Sequence, residues 1–234
     1  MEPNSTSTLE RHKSPPLWLL ATLYTLLFNV GLFPVTMLAG GQNWPGPWES
    51  QERIISYFHS HYGPVIWCIF LQFGATVCLG LFCVCTVSRL QFLGIRAAGV
   101  WIALLGGLLT VANGMGAGLA AWTMIRPVVA QHSDMLVGLF YLSYALGGPG
   151  FAIPIGLFMA GVSVTAGLTR MIPRWLAVFG LILALSGELS WLHLIRPEMF
   201  FLFLIPFARF PGFIWLILVG FLLPRTAQKR AAAS

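Results

Sequence analysis

The chain has 234 residues, 57% of them hydrophobic and only 9% charged, with a formal net charge of +6. Soluble globular domains carry roughly 25% charged residues, so this composition excludes an ordinary water-soluble fold. The positive balance does not point to nucleic acid, because the basic residues are scattered through short connecting segments instead of forming a patch.

Residues 1–16 read as a short polar tail. The "NST" at positions 4–6 matches a glycosylation acceptor, but on a cytoplasmic tail the match carries no meaning. The apolar run 17–39 exceeds the 7–15 residues of a signal-peptide core, and Met37 occupies the place where a cleavage site needs a small residue. It is expected to stay as a helix. Residues 40–62 form the largest loop, beginning with the turn-rich "GGQNWPGPW". It continues as "ERIISYFHSHY", whose Ile54, Ile55 and Phe58 share one helical face, predicting a short helix lying on the membrane surface.

Further apolar runs occupy 63–87, 97–125, 135–169, 175–195 and 199–223. Each is long enough to cross the hydrocarbon core as a helix, which takes about 20 residues. The runs lack period-two alternation, and lipid forces a segment to satisfy its own backbone polar groups, so helices are predicted over strands. The fold class expected is an all-α polytopic membrane protein of six transmembrane helices, spanning residues 17–224 between a cytoplasmic tail, 1–16, and a basic cytoplasmic tail, 225–234. With both termini inside, nine basic residues (Arg11, Lys13, Arg89, Arg96, Arg170, Arg174, Arg225, Lys229 and Arg230) fall on the cytoplasmic side, as the positive-inside rule requires.

The run 135–169 is interrupted by "ALGGPGFAIP" at 145–154. Two crossings there would make seven helices and move Arg170, Arg174 and the basic tail to the outer side. A single crossing at 151–169 is therefore expected, preceded by an outer helical turn or re-entrant piece carrying Tyr141 and Tyr144.

Candidate functional groups follow from chemistry that is costly in lipid. In the third run Gly106, Thr110, Gly114 and Gly118 recur every fourth residue, predicting a groove for close helix packing, with Asn113 beside it as an interhelical hydrogen-bonding group. Cys68, Cys78, Cys83 and Cys85 have no CxxC spacing and read as small buried hydrophobes. His59, His61, His132 and His193 are expected at the outer face, where they could form an open metal site, but no HExxH or other fixed ligand spacing is present. No metal or other cofactor is expected. Glu188 and Arg209 lie in the last two runs at similar expected depths, and a charge in the membrane seeks a partner, so an intramembrane polar pair is the expectation. Arg196 is a competing partner for Glu188. Pro206, Pro211 and Gly212 surround Arg209 and predict a broken or kinked last helix, or alternatively an outer loop over 206–212.

Two C-terminal features, "IPRWLAVFG" at 172–180 and the closing "WLILVGFLL" at 215–223, resemble a family of uncharacterised bacterial integral membrane proteins of about six helices. The resemblance covers about the last 40% of the chain. It implies a multi-pass protein of the bacterial inner membrane and no established activity. The function expected is a non-enzymatic integral membrane protein. The alternatives are a small-solute or proton-coupled transporter using Glu188 and Arg209, and a metal-assisted enzyme with its histidine site facing outward. The lipid bilayer is the expected partner, nucleic acid is not, and a homo-oligomer stays open.

Overall fold

The computed structural model describes residues 9–195 and 199–228. The glycosylation match at 4–6, Arg196, Glu198, Lys229 and Arg230 lie outside the described residues.

The helices run in chain order as α1 (Leu17–Leu32), α2 (Gln51–Ser60), α3 (Tyr62–Phe92), α4 (Ala98–Met124), α5 (Pro127–Ala130), α6 (Ser133–Gly147), α7 (Pro149–Leu168), α8 (Arg174–Leu189) and α9 (Met199–Leu222). Six stretches among the described residues are long and apolar enough to cross a membrane, with α6 and α7 together forming one of them. The chain is an all-α polytopic membrane protein.

Each span packs antiparallel against the next, and α9 packs back on α1, closing a ring. Gly31 of α1 lies against Leu71 of α3, and Gly80 of α3 against Val111 of α4. Ser186 of α8 donates to the Leu204 carbonyl of α9. Tyr24 meets Phe213 edge-on at 5.3 Å between α1 and α9.

The fourth traverse crosses once. Along α4, Gly116 meets Leu146, Asn113 meets Gly150, Gly106 meets Pro154 and Gly99 meets Gly161, so α6 and α7 continue in a single direction. The sequence expectation of one crossing holds, but the outer piece is a full 15-residue helix and not a turn. The break is at Gly148 (φ −89°, ψ −104°), directly before Pro149. At 1.5 Å per residue the 36-residue traverse is about 54 Å long, well beyond the ~30 Å hydrocarbon core. Part of α6 therefore projects past the lipid interior.

α2 covers that end of the ring. Ser50 caps it, its side chain accepting from the Arg53 amide at 3.3 Å. Ile54, Tyr57 and Phe58 are buried against Val65, Met124, Leu136 and Phe140, while Ile55 is only partly buried. At the opposite end the two tails pair as antiparallel strands: β1 (Leu9–Arg11) with β2 (Thr226–Gln228). Beneath them Arg89 is 2% exposed; its Nη1 donates to the Leu223 carbonyl (3.4 Å) and its Nη2 to Ser14 Oγ (3.3 Å). Arg225 donates to the Ser14 carbonyl at 2.6 Å. Thus Arg89, one of the basic residues assigned to a loop, is a buried strut under both chain ends.

Candidate functional site: a cavity in the α2 half of the bundle

The core is not filled evenly. Below Gly148, towards the strand pair, α7 occupies the middle of the bundle, packed against α4 and α8. Its small residues allow this: a Cβ on Gly161 would lie 2.5 Å from the Gly99 carbonyl oxygen, and one on Gly187 of α8 would lie 2.5 Å from the Ala152 carbonyl oxygen. Phe82, Phe158 and Trp215 close this half, with the Trp215 indole donating to the Leu176 carbonyl at 3.1 Å.

Above the break the interior is hollow. A cavity of about 430 Å³ lies among α1, α3, α4, α6 and α9, with Gly147, Gly148 and Phe151 at the level of the break. Its volume falls in the ~300–1,000 Å³ range of small-molecule pockets. α1 contributes Tyr24, Phe28 and Leu32, and α3 contributes Ile69, Gln72, Phe73 and Thr76. α4 presents Gly114, Ala117, Gly118 and Ala121, a wall without bulk. α6 supplies Phe140, Ser143 and Tyr144, α9 supplies Ile205, Pro206, Arg209 and Phe210, and Trp44 reaches in from the loop before α2.

Arg209 is the one charged residue on this wall. It is partly buried, with part of its side chain facing the cavity. Nη2 donates to the Gly147 carbonyl, the end of α6 freed by the break, and Nε has no hydrogen-bond partner. The guanidinium lies 4.3 Å from the Phe151 ring centroid and 5.3 Å from that of Phe28. A cation–π contact contributes about 0.5–2 kcal/mol, whereas a charge at mid-membrane costs at least ~2.5–3.5 kcal/mol. The aromatic contacts together with one carbonyl roughly offset that cost without neutralising the charge.

The expected pair does not form: among the described residues no ion pair joins Glu188 to Arg209. The register explains it. Ser186 lies opposite Leu204, and Leu176 opposite Trp215, which sets Glu188 and Arg209 about six residues, or ~9 Å, apart along the axis. Counting depth from the ends of two separate helices missed this offset. Glu188 turns to α7, where its Oε1 has no hydrogen-bond partner and would lie 3.2 Å from a Cβ added at Gly156. Nor is the last helix broken: α9 is continuous through Pro206 and Pro211, so the outer-loop reading of 206–212 is also corrected.

The α4 groove is real and two-sided. Gly106 faces Pro154 and Phe158 of α7, Gly114 lies between Thr76 and Phe151, and Gly118 faces Phe73 of α3. A four-residue spacing advances about 40° per step around a 3.6-residue helix, so the stripe winds from one neighbour to the other. Thr110 is buried with its hydroxyl on the Gly106 carbonyl (2.7 Å), and Asn113 donates across to the Gly150 carbonyl, holding the start of α7.

The histidines are dispersed, which corrects the outer-face site. His59 contacts the Ala130 carbonyl (2.9 Å), His61 stacks on Tyr57, and His132 precedes α6. His193 is buried, its Nε2 2.7 Å from the Tyr144 hydroxyl behind the cavity wall. Among the described residues no three His, Cys, Asp or Glu side chains gather as a metal site would require. The four cysteines are free, two buried and two partly buried.

No family model, curated protein or solved structure matches the chain.

Proposed function

We propose that this chain is a non-enzymatic membrane protein that holds a small solute inside its helix bundle, as a carrier or a solute-sensing protein of the bacterial inner membrane. One observation carries this reading: a cavity of ligand size inside the helix bundle, with Arg209 the one charged residue on its wall. A purely structural bundle gains nothing from leaving such a volume empty, since each void forfeits dispersion contacts. The distribution of Lys and Arg supports cytoplasmic termini, which would turn the α2 end and its cavity outward. The C-terminal resemblance supports the bacterial inner membrane.

The test is native mass spectrometry of protein purified in zwitterionic nanodiscs, comparing the wild type with Gly118→Leu. Gly118 lines the cavity, and a Cβ there meets only Phe73 at 3.4 Å. The wild type is expected to retain a small molecule that Gly118→Leu lacks while keeping its helical circular dichroism. Identical retention, or no retained or added solute in either protein, would sink the reading.

A further inference from the structure

Resting on the cavity-binding reading, we propose that the solute is a singly charged organic acid with an apolar body, its carboxylate held by Arg209. Four observations define that class. No Asp or Glu lines the cavity, so an ammonium group or an amino-acid zwitterion would find no counter-charge there. A single guanidinium balances one negative charge; a phosphate dianion would leave a second charge unmatched in low dielectric.

Much of the remaining polar wall is already engaged, with the Gln72 amide and the Tyr24 hydroxyl left without a hydrogen-bond partner among the described residues. Thr76 Oγ1 donates to the Gln72 carbonyl (2.8 Å), Ser143 Oγ to the Ala117 carbonyl (3.0 Å), and the Tyr144 hydroxyl engages His193. The rest of the wall is mainly the apolar surface of residues such as Phe73, Phe140, Phe210 and Ile69, suited to an aryl or alkyl body.

The carboxylate end is also specified. Arg209 lines the cavity and is fixed in place by its bond to Gly147 and by the Phe151 and Phe28 rings; its Nε is buried without a partner, and a ligand would meet the part of the guanidinium that faces the cavity. Arginine presents its donors in a planar fork that fits a carboxylate. The Tyr24 and Tyr144 side chains lie within electrostatic reach of the same guanidinium.

The acid could come from water or from the bilayer, and the experiment separates the two. Protein in zwitterionic nanodiscs is titrated with phenylacetate added from water and, separately, with decanoate loaded into the bilayer. Phenylethanol and decanol serve as neutral counterparts, with inorganic phosphate as the dianion. Binding is read as saturable heat in calorimetry and as a rise in unfolding temperature. One or both acids should bind at least about tenfold more tightly than the matching alcohol, a difference of ~1.4 kcal/mol. Arg209→Met should erase the difference and Arg209→Lys retain part of it. Binding of phenylacetate alone assigns an aqueous source, and of decanoate alone a bilayer source.

Alcohols that bind as tightly as the acids, with both lost in Gly118→Leu, would overturn the acid assignment and leave the cavity reading intact. Saturable binding of phosphate in place of the acids would overturn the assignment too. If none of the probes binds, the acid assignment falls, and retention of a native solute in the mass-spectrometry comparison then decides the cavity reading separately. Should Arg209→Met fail to fold, the acid-to-alcohol ratio in the wild type and in Arg209→Lys still decides.

Discussion

The guanidinium of Arg209 lies 4.3 Å over the ring of Phe151, in the first turn of α7, and not beside the carboxylate of Glu188. The break between α6 and α7 and the charge on α9 are therefore one arrangement: the arginine binds the carbonyl of Gly147 and the ring that follows the break. Glu188, on α8, belongs to a different interface.

The first prediction concerns those two charges. Because they share no contact, Glu188→Gln and Arg209→Met should be additive in unfolding free energy, within the ~0.5 kcal/mol seen for independent sites. Glu188→Gln alone should be neutral or mildly stabilising, as it replaces a carboxylate whose Oε1 has no partner. A double-mutant cycle in detergent checks this. Coupling above ~1 kcal/mol would restore the ion pair.

A second prediction separates two kinds of glycine. At Gly161 an added Cβ meets backbone, the Gly99 oxygen at 2.5 Å and the Ala103 nitrogen at 2.7 Å, so α4 and α7 must separate. Gly161→Ala should cost about 1–3 kcal/mol, the usual range for overpacking. Gly118→Ala meets only a ring edge and should be neutral or stabilising, since alanine favours a helix over glycine by roughly 0.5–1 kcal/mol. Thermal unfolding of the two variants gives the comparison, and equal losses would contradict it.

Tyr57 supplies a third. On α2 its ring is buried between Trp44, Phe58 and His61, its hydroxyl has no hydrogen-bond partner, and burial pushes the phenol up to about 12. An unsatisfied buried hydroxyl costs about 1–3 kcal/mol. Tyr57→Phe should therefore keep the ring contacts and hold or raise the unfolding temperature, whereas Tyr57→Ala should lower it. A clear loss in Tyr57→Phe would reveal a partner for the hydroxyl.

The fourth concerns pH. His12 lies 2.9 Å from Ser14 Oγ and 3.1 Å from Ser88 Oγ. Burial, then the nearby Arg89 and Arg225, hold its imidazole below the ordinary value near 6.5. The unfolded tail thus takes up a proton before the folded one does, so docking of the strand pair is fully stabilised above about pH 6.5 and weakens as the pH falls towards the depressed folded value. Amide protection factors at Leu9–Arg11 and Thr226–Gln228, taken against the intrinsic exchange rate at each pH, should fall over that acidic window. In His12→Asn this loss of protection should disappear; if it persists, another group is responsible.

The bilayer environment and the six crossings were legible because hydrophobic runs long enough to span are a local property of the sequence. The glycine spacing at Gly106, Gly114 and Gly118 likewise marked a groove, and Asn113 marked a polar tie across it. The Arg209 environment was not legible. Its neighbours Gly147, Phe151 and Phe28 come from three other segments, and the offset between α8 and α9 that separates it from Glu188 depends on packing. The available signal was the unusual "ALGGPG" itself: a helix break frees carbonyls, and a buried cation needs one. The strand pair escaped detection because three residues at each end carry no recognisable alternation.

Ring closure also bears on how the molecule is made. The face of α1 bearing Leu17, Tyr24 and Phe28 is completed by α9, which is made after the other five spans among the described residues. Until then α1 has α3 on one flank and lipid or a chaperone on the other. A chain truncated before α9 would lack both the seal on α1 and the strand that pins the N-terminus, leaving an open bundle for membrane quality control to recognise. Ring closure is thus a single locking step, in which α9 and β2 join α1 and β1, which were made five spans earlier.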